Sequence, residues 1–295
     1  MTSPDTTLVA VNFHLYKPCN YRCRFCFATF RDLRGQLSLE HALLLLRLLR
    51  EAGCEKLNFA GGEPTLHPHI GPLLAESRRL GLVTSIISNG ARLSHLLAAH
   101  ATDLDWVGLS VDSADEATQA ALGRGTGGHV ARSLAHADEI RARGLRLKLN
   151  TVVTALNWRE DMSEFVRQVQ PERWKVFQVL PVGGQNDGAV DDLLIDRAQF
   201  QAFVDRHASL SKNLAPIAED NDAMTASNVM SDPLGRLFDN SAGHHTYSAP
   251  IHEIGVARAL RQIRFSLTLG VTCHSFRSFG AVRRWLKGDS ASLPP

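Results

Sequence analysis

A chain of 295 residues is long enough to bury a substantial core, as one large α/β domain with decorations or as two small ones. Its 32 Lys and Arg stand against 30 Asp and Glu, interspersed, for a formal charge of +2, which gives no case for nucleic acid or an acidic membrane as the main partner. No run approaches the roughly 20 apolar residues that span a bilayer, and the opening M-T-S-P-D-T-T lacks a basic flank and an apolar signal core, so a cytoplasmic protein is expected.

Apolar β-branched runs alternate with helical patterns through the first two thirds of the chain. Residues 8–15 (L-V-A-V-N-F-H-L) predict a strand, followed by a helix with Ser38 as its cap, Glu40 in its first turn and Gly53 as its stop. Further strands are predicted over 56–60, 82–88, 105–112, 145–153 and 173–180, with helices around 70–80, 93–100, 128–143 and 161–169 between them. Six strand-helix alternations imply an α/β fold with parallel strands and helical crossovers, two units short of a full eightfold barrel. An open sheet and a partial (βα)6 barrel both fit, and in both the active groups belong at the carboxyl ends of the strands. The loop P-V-G-G-Q-N-D-G-A-V-D-D is the expected border between a core over 8–182 and a C-terminal extension over 183–295.

Polar motifs fall at those carboxyl ends. C-N-Y-R-C-R-F-C follows the first strand, G-G-E-P (61–64) the second, S-N-G (88–90) the third and S-V-D-S (110–113) the fourth, and Asn150 sits late in the fifth. Cys19, Cys23 and Cys26 have the spacing C-x3-C-x2-C with no fourth cysteine nearby, and an odd set without an export signal favours reduced, metal-ligating thiols over disulfides. Three thiolates suit an iron-sulfur cluster with one iron left open, or a zinc site completed by a histidine, for which His14 is the nearest candidate. Cys54 reads as a packed thiol, His67, His69, His244 and His245 as loop residues, and Trp106, Trp158 and Trp174 as core or interface.

C-x3-C-x-F-C after a first strand and G-G-E-P after a second resemble the radical S-adenosylmethionine enzymes. In that superfamily three cysteines hold a [4Fe-4S] cluster, and the methionyl amine and carboxylate of S-adenosylmethionine chelate the fourth iron. The resemblance narrows with E-K-L-N-F-A-G-G-E-P, D-S-A-D-E, K-L-N-T-V-V, N-W-R-E-D-M and above all R-W-K-V-F-Q, which are similar to viperin and its prokaryotic relatives from about Asn12 to Phe265. The family makes 3'-deoxy-3',4'-didehydro nucleoside triphosphates, chain terminators of viral polymerases. The resemblance therefore implies antiviral defence by a dehydratase-type enzyme. A 5'-deoxyadenosyl radical takes the ribose 4' hydrogen, the 3' hydroxyl leaves as water, and one electron from a donor such as flavodoxin or ferredoxin completes the product.

Carried over position by position, the resemblance assigns Cys19, Cys23 and Cys26 to the cluster. Phe25, Gly61, Gly62, Glu63, Pro64, Ser88, Asn89, Arg124 and Asn150 fall to the cosubstrate, with Ser110 and Asp112 on its adenosine side. Asn12, His14, Asn58, Lys56, Lys148, Arg173, Lys175 and Asn228 fall to the nucleotide. The residues themselves allow this: Lys148 and Asn150 are two apart, as are Arg173 and Lys175, so each pair shares a strand face. Inward-pointing cations are costly without an anion, and a polyphosphate removes that cost. On the alternative reading the same cations are solvated on the helix side with snorkelling stems.

Asn228 stands where animal members carry a Tyr, which leaves a pyrimidine nucleotide expected, UTP or CTP. Their membrane-binding amphipathic helix is not expected here, and from about residue 266 the chain departs from the family's usual ending. Two other readings stay open: a radical enzyme acting on a peptide or an RNA base, and a non-catalytic zinc-binding protein.

Overall fold

The computed structural model describes residues 8–211, 214–225 and 229–264. Asn228, Cys273 and the divergent tail lie outside the described residues. All six predicted strands form: β1 (Ala10–Tyr16), β2 (Lys56–Gly61), β3 (Val83–Ser88), β4 (Trp106–Ser110), β5 (Arg146–Val153) and β6 (Arg173–Gln178). Five helices also arise where periodicity places them: α1 (Leu39–Glu51), α2 (Ile70–Arg79), α3 (Leu93–His100), α5 (His129–Ala142) and α6 (Ser163–Val169). Ser38 caps α1 by accepting from His41 N at 3.2 Å, which satisfies one of the orphan N–H groups of the first turn. The additional α4 (Glu116–Ala121) is six residues long, too short to show an apolar stripe, and starts on an Asp115 cap.

The C-terminal part supplies α7 (Arg197–His207), β7 (Pro216–Glu219), α8 (Asn221–Met224), β8 (Met230–Ser231), β9 (Arg236–Asp239), β10 (Thr246–Pro250), α9 (Ile251–Ile254) and α10 (Val256–Leu260). It extends the same sheet at both edges, giving the order β10-β9-β8-β1-β2-β3-β4-β5-β6-β7. Strands β1 to β7 are parallel to their neighbours, β8 joins β1 in parallel, and β9 and β10 continue antiparallel. The parallel (βα)6 unit is thus an open sheet whose two edges are both taken by the extension.

Side chains alternate between the two faces of a strand. Phe13, Leu57, Phe59, Ile86, Val107, Leu109, Leu147, Leu149, Trp174 and Val176 are buried in one core with Leu45, Leu49, Leu73, Leu97, Ile140 and Val166 of the helices. The opposite face is polar. Register places Asn12 beside Asn58, Asn58 beside Ser85, and Ser85 beside Trp106. Two residues further along the strands a second row runs through Gly108, Lys148 and Arg173, and two residues beyond that a third through Ser110, Asn150 and Lys175. The helix side is therefore occupied by the apolar positions, and the cations project from the other face.

Candidate active site

The cysteine loop is held by backbone contacts that require glycine. Gly62 N donates to Tyr16 O at 2.5 Å and Glu63 N to Pro18 O at 3.0 Å. A Cβ on Gly62 would lie 2.3 Å from Lys17 O, and Gly61, at φ +141°, would place one 2.5 Å from Tyr16 O. These two glycines thus admit the start of the cysteine loop itself. On its far side, Arg22 N donates to Gly123 O at 3.1 Å and Arg24 N to Leu122 O at 3.0 Å, and a Cβ on Gly123 would meet Arg22 O at 2.2 Å.

Glu63 is 1 % exposed and fixed from three directions. Its Oε1 accepts from Thr65 N (3.1 Å), Thr65 Oγ1 (2.6 Å) and Ser88 Oγ (2.7 Å), and its Oε2 from Asn89 N (2.7 Å). A carboxylate has about four lone-pair sites, so the carboxylate edge at Oε2 retains acceptor capacity. Pro64 opens the short turn Pro64–Leu66 that Glu63 caps. The Asn89 side chain reaches back to the cysteines, donating from Nδ2 to Asn20 Oδ1 at 2.8 Å and approaching Cys19 Sγ at 3.6 Å.

Arg124 and Asp112 form a buried pair, Nε to Oδ2 at 2.5 Å. Asp112 Oδ1 also accepts from Val152 N at 2.9 Å, and the guanidinium carbon lies 5.6 Å from the Phe25 ring centroid. Burial works against the Arg124 charge, but Asp112 and the sulfurs of Cys23 and Cys26 outweigh it, and the pKa is raised. The same burial pushes the Cys23 thiol up to about 12 and raises those of Cys19 and Cys26. Asp112 is thus engaged by the protein itself. Ser110 accepts through its carbonyl from His129 Nε2 at 2.9 Å, while the buried Asn150 Oδ1 on the neighbouring strand has no hydrogen-bond partner.

Deeper on the polar face the four predicted cations come together. Lys148 is held well below the usual lysine range, first by burial and then by Lys175, Lys56 and Arg173, with Glu219 of β7 opposing. Lys175 Nζ is ion-paired to that Glu219 carboxylate. Lys56 Nζ and the Arg173 guanidinium each lie 5.6 Å from the Trp106 ring centroid, and Arg146 lies 3.8 Å from it. Trp106 and Glu219 were not among the sequence-derived candidates. Trp106 shares strand parity with Ser110, which signalled its face, whereas Glu219 comes from a strand the alternation did not reveal.

Beside β1, His14 packs edge-on against Phe27, Phe30 and Phe238, with ring centroids 5.8, 5.7 and 5.5 Å away. Burial, with His245 adding, lowers its pKa to about 3, so it is a neutral imidazole. Its Nδ1 is buried without a partner, as are Asn58 Oδ1 and His245 Nε2, while Asn58 Nδ2 donates to Asn12 Oδ1 at 2.9 Å.

Among the described residues no three His, Cys, Asp or Glu side chains gather around one point as for a single metal ion. A multi-iron cluster takes its thiolates on separate irons, and three soft donors on one glycine-braced loop fit that group. The orphaned acceptor on Asn150, at the same end of the sheet, fits a polar ligand beside it.

The model of the Radical SAM superfamily matches residues 15–169. An S-adenosylmethionine-dependent nucleotide dehydratase of Flammeovirga pacifica is 44% identical over 282 residues, 90% of this chain and 94% of the relative. One of Lacinutrix mariniflava is 40% identical over 295 residues, 96% of this chain but 60% of that longer protein. Among solved structures, Streptococcus suis SuiB bound to S-adenosylmethionine superposes with a TM-score of 0.62 at 17% identity, covering 79% of this chain and 60% of that one. The enzyme anSMEcpe, with bound AdoMet and a peptide, gives 0.66 at 13% identity, covering 87% and 81%. These two share the fold. The chain belongs to the radical SAM superfamily and, within it, to the S-adenosylmethionine-dependent nucleotide dehydratases.

Proposed function

We propose that this chain dehydrates a nucleoside triphosphate, CTP or UTP, to its 3'-deoxy-3',4'-didehydro analogue. The observation that carries the reading is the layout of one sheet face, with the cysteine loop and Glu63 turn at its carboxyl end and Lys56, Lys148, Arg173 and Lys175 clustered deeper in. Such a face accommodates a ribose between a reacting end and a polyphosphate end. The family of close relatives supports the same substrate class.

In this reading Cys19, Cys23 and Cys26 hold a [4Fe-4S] cluster, and Glu63, Asn89, Arg124 and Asn150 surround S-adenosylmethionine. Bound together, these two groups supply one-electron chemistry for removing the 4' hydrogen. The chain's own part is placement. Glu63 offers Oε2 to the methionyl ammonium, Asn150 Oδ1 gains the donor it lacks, and the cations neutralise the phosphates. His14, Asn12 and Asn58 line the stretch between, with the orphaned His14 Nδ1 and Asn58 Oδ1 facing ribose hydroxyls. A one-electron donor such as flavodoxin or ferredoxin completes the turnover.

The test is anaerobic reconstitution with iron and sulfide, followed by S-adenosylmethionine, a reductant and CTP, UTP, GTP or ATP in separate vessels. The expected result is that one pyrimidine nucleotide stimulates 5'-deoxyadenosine formation and yields a product lighter by one water. If none of the four is altered while 5'-deoxyadenosine still forms, the substrate assignment is wrong.

A further inference from the structure

The cation cluster contains its own anion. Glu219 closes the β7 edge of the polar face, in register with Phe177 of β6, and its carboxylate contacts Lys175 Nζ. Both side chains are largely covered, at 13% and 14% exposed. A surface pair of this kind contributes little, but here the pair sits among Lys56, Lys148 and Arg173, and its carboxylate acts on Lys148 as well.

A polyphosphate entering that cluster meets a lysine already occupied. To engage Lys175 it must separate the pair, and its own charge then stands beside a carboxylate in a poorly hydrated site, where like charges repel strongly. A weak anion gains too little from one lysine to do this. An oligophosphate reaching Lys56, Lys148 and Arg173 together gains enough. Without the carboxylate, Lys175 would lose its ion-pair partner in a largely covered site beside Lys56, Lys148 and Arg173.

We infer that Glu219 is a built-in counter-ion that occupies Lys175 in the empty site and is displaced by the substrate's phosphates, setting how strong an anion the site admits. Glu219 is a positioning residue here, acting through Lys175. The inference rests on the nucleotide reading for its natural ligand, but inorganic tripolyphosphate tests it separately.

The experiment measures dissociation constants of UTP, CTP and tripolyphosphate for the cluster-reconstituted protein and its Glu219→Gln variant by equilibrium dialysis, with thermal melts in phosphate-free buffer. Removing the competing charge is expected to tighten tripolyphosphate and the preferred nucleotide about tenfold. The empty variant melts earlier. A purely structural role predicts weaker binding, so the sign of the change separates the two. Unchanged or weaker binding of both probes overturns the inference, and a loss that appears only with Mg²⁺ reassigns Glu219 to a nucleotide-bound cation. If neither protein binds UTP or CTP while tripolyphosphate still tightens, the nucleotide reading fails and the counter-ion stands. Should the Gln variant not fold, Glu219→Asp, which keeps the charge but withdraws it from Lys175, is expected to tighten tripolyphosphate by a smaller factor, and no tightening overturns the inference.

Discussion

Arg124 Nε meets Asp112 Oδ2 at 2.5 Å in a pair only 8% and 1% exposed, with Cys23 and Cys26 close enough to raise the arginine's pKa. Leu122 and Gly123, the two residues before Arg124, accept from Arg24 and Arg22, which flank Cys23, so the segment that carries Arg124 is tied to the cysteine loop. Removing one partner strands a buried charge, which costs roughly 3–5 kcal/mol. Arg124→Met is therefore expected to lose stability on that order in anaerobic urea unfolding of the cluster-free protein. Asp112→Asn/Arg124→Met, which removes both charges, is expected to recover most of it. Equal losses in the single and double variants would show that the pair does not hold the loop.

Much of this architecture could be read in the sequence because parity in a strand is a local property. R-L-K-L-N-T-V-V alternates, and β5 shows strictly alternating burial, so Lys148 and Asn150 had to share a face. Which face it was could not be read. That depends on the helices, whose Leu and Ile stripes claim the apolar positions and leave the cations on the other side. Long-range contacts were equally hidden. Glu219 reaches Lys175 from a four-residue strand, β8 joins β1 through only Met230 and Ser231, and neither strand is long enough to show a period. Ser88 was assigned to the cosubstrate, yet its hydroxyl donates to Glu63, a contact no spacing rule encodes.

Gly62, in the loop after β2, and Gly108, inside β4, should tolerate substitution unequally according to what each touches. A methyl on Gly62 would sit 2.3 Å from Lys17 O and 2.4 Å from Pro18 O, backbone atoms that cannot turn aside. Gly62→Ala is expected to cost about 1–3 kcal/mol and to lower iron and sulfide content after reconstitution. At Gly108 the first atom met is Ile87 Cδ1, the free end of a side chain, also at 2.3 Å. Gly108→Ala should therefore retain its cluster, and loss of iron in both variants alike would refute the distinction.

If Lys148 meets the nucleotide's phosphates as proposed, binding is expected to depend on protons. In the empty protein burial, followed by Lys175, Lys56 and Arg173, holds its pKa well below the lysine range. A polyphosphate beside it favours the charged form and raises that pKa, so binding takes up a proton. Affinity is then constant below the free-state pKa and falls as pH rises from there to the bound-state value, by up to about tenfold per pH unit. Calorimetry of UTP binding in two buffers of different ionisation enthalpy should register the uptake, and Lys148→Met should abolish it. Identical heats in both buffers for the wild-type chain would rule out a titrating Lys148.

Acid should destabilise the fold through its buried histidines. Burial lowers the pKa of His14 to about 3 and those of His67, His129 and His245 to about 4 each, helped by His245, His69, Arg124 and His244 respectively. In the folded chain these rings stay neutral near pH 5, whereas in the unfolded chain they bind protons below about pH 6.5. The unfolded state then holds more protons, so stability falls as pH drops from about 6.5 towards the folded-state values and the loss levels off beneath them. Each ring contributes up to about 1.4 kcal/mol per pH unit inside that window. Melting temperatures of the cluster-free protein between about pH 7 and 5 should decline steeply. His67→Gln, whose ring accepts from His69 N at 3.1 Å, should lower stability at neutral pH yet flatten the slope by one ring's share. An unchanged slope would mean that His67 is protonated in the folded chain, against the burial that surrounds it.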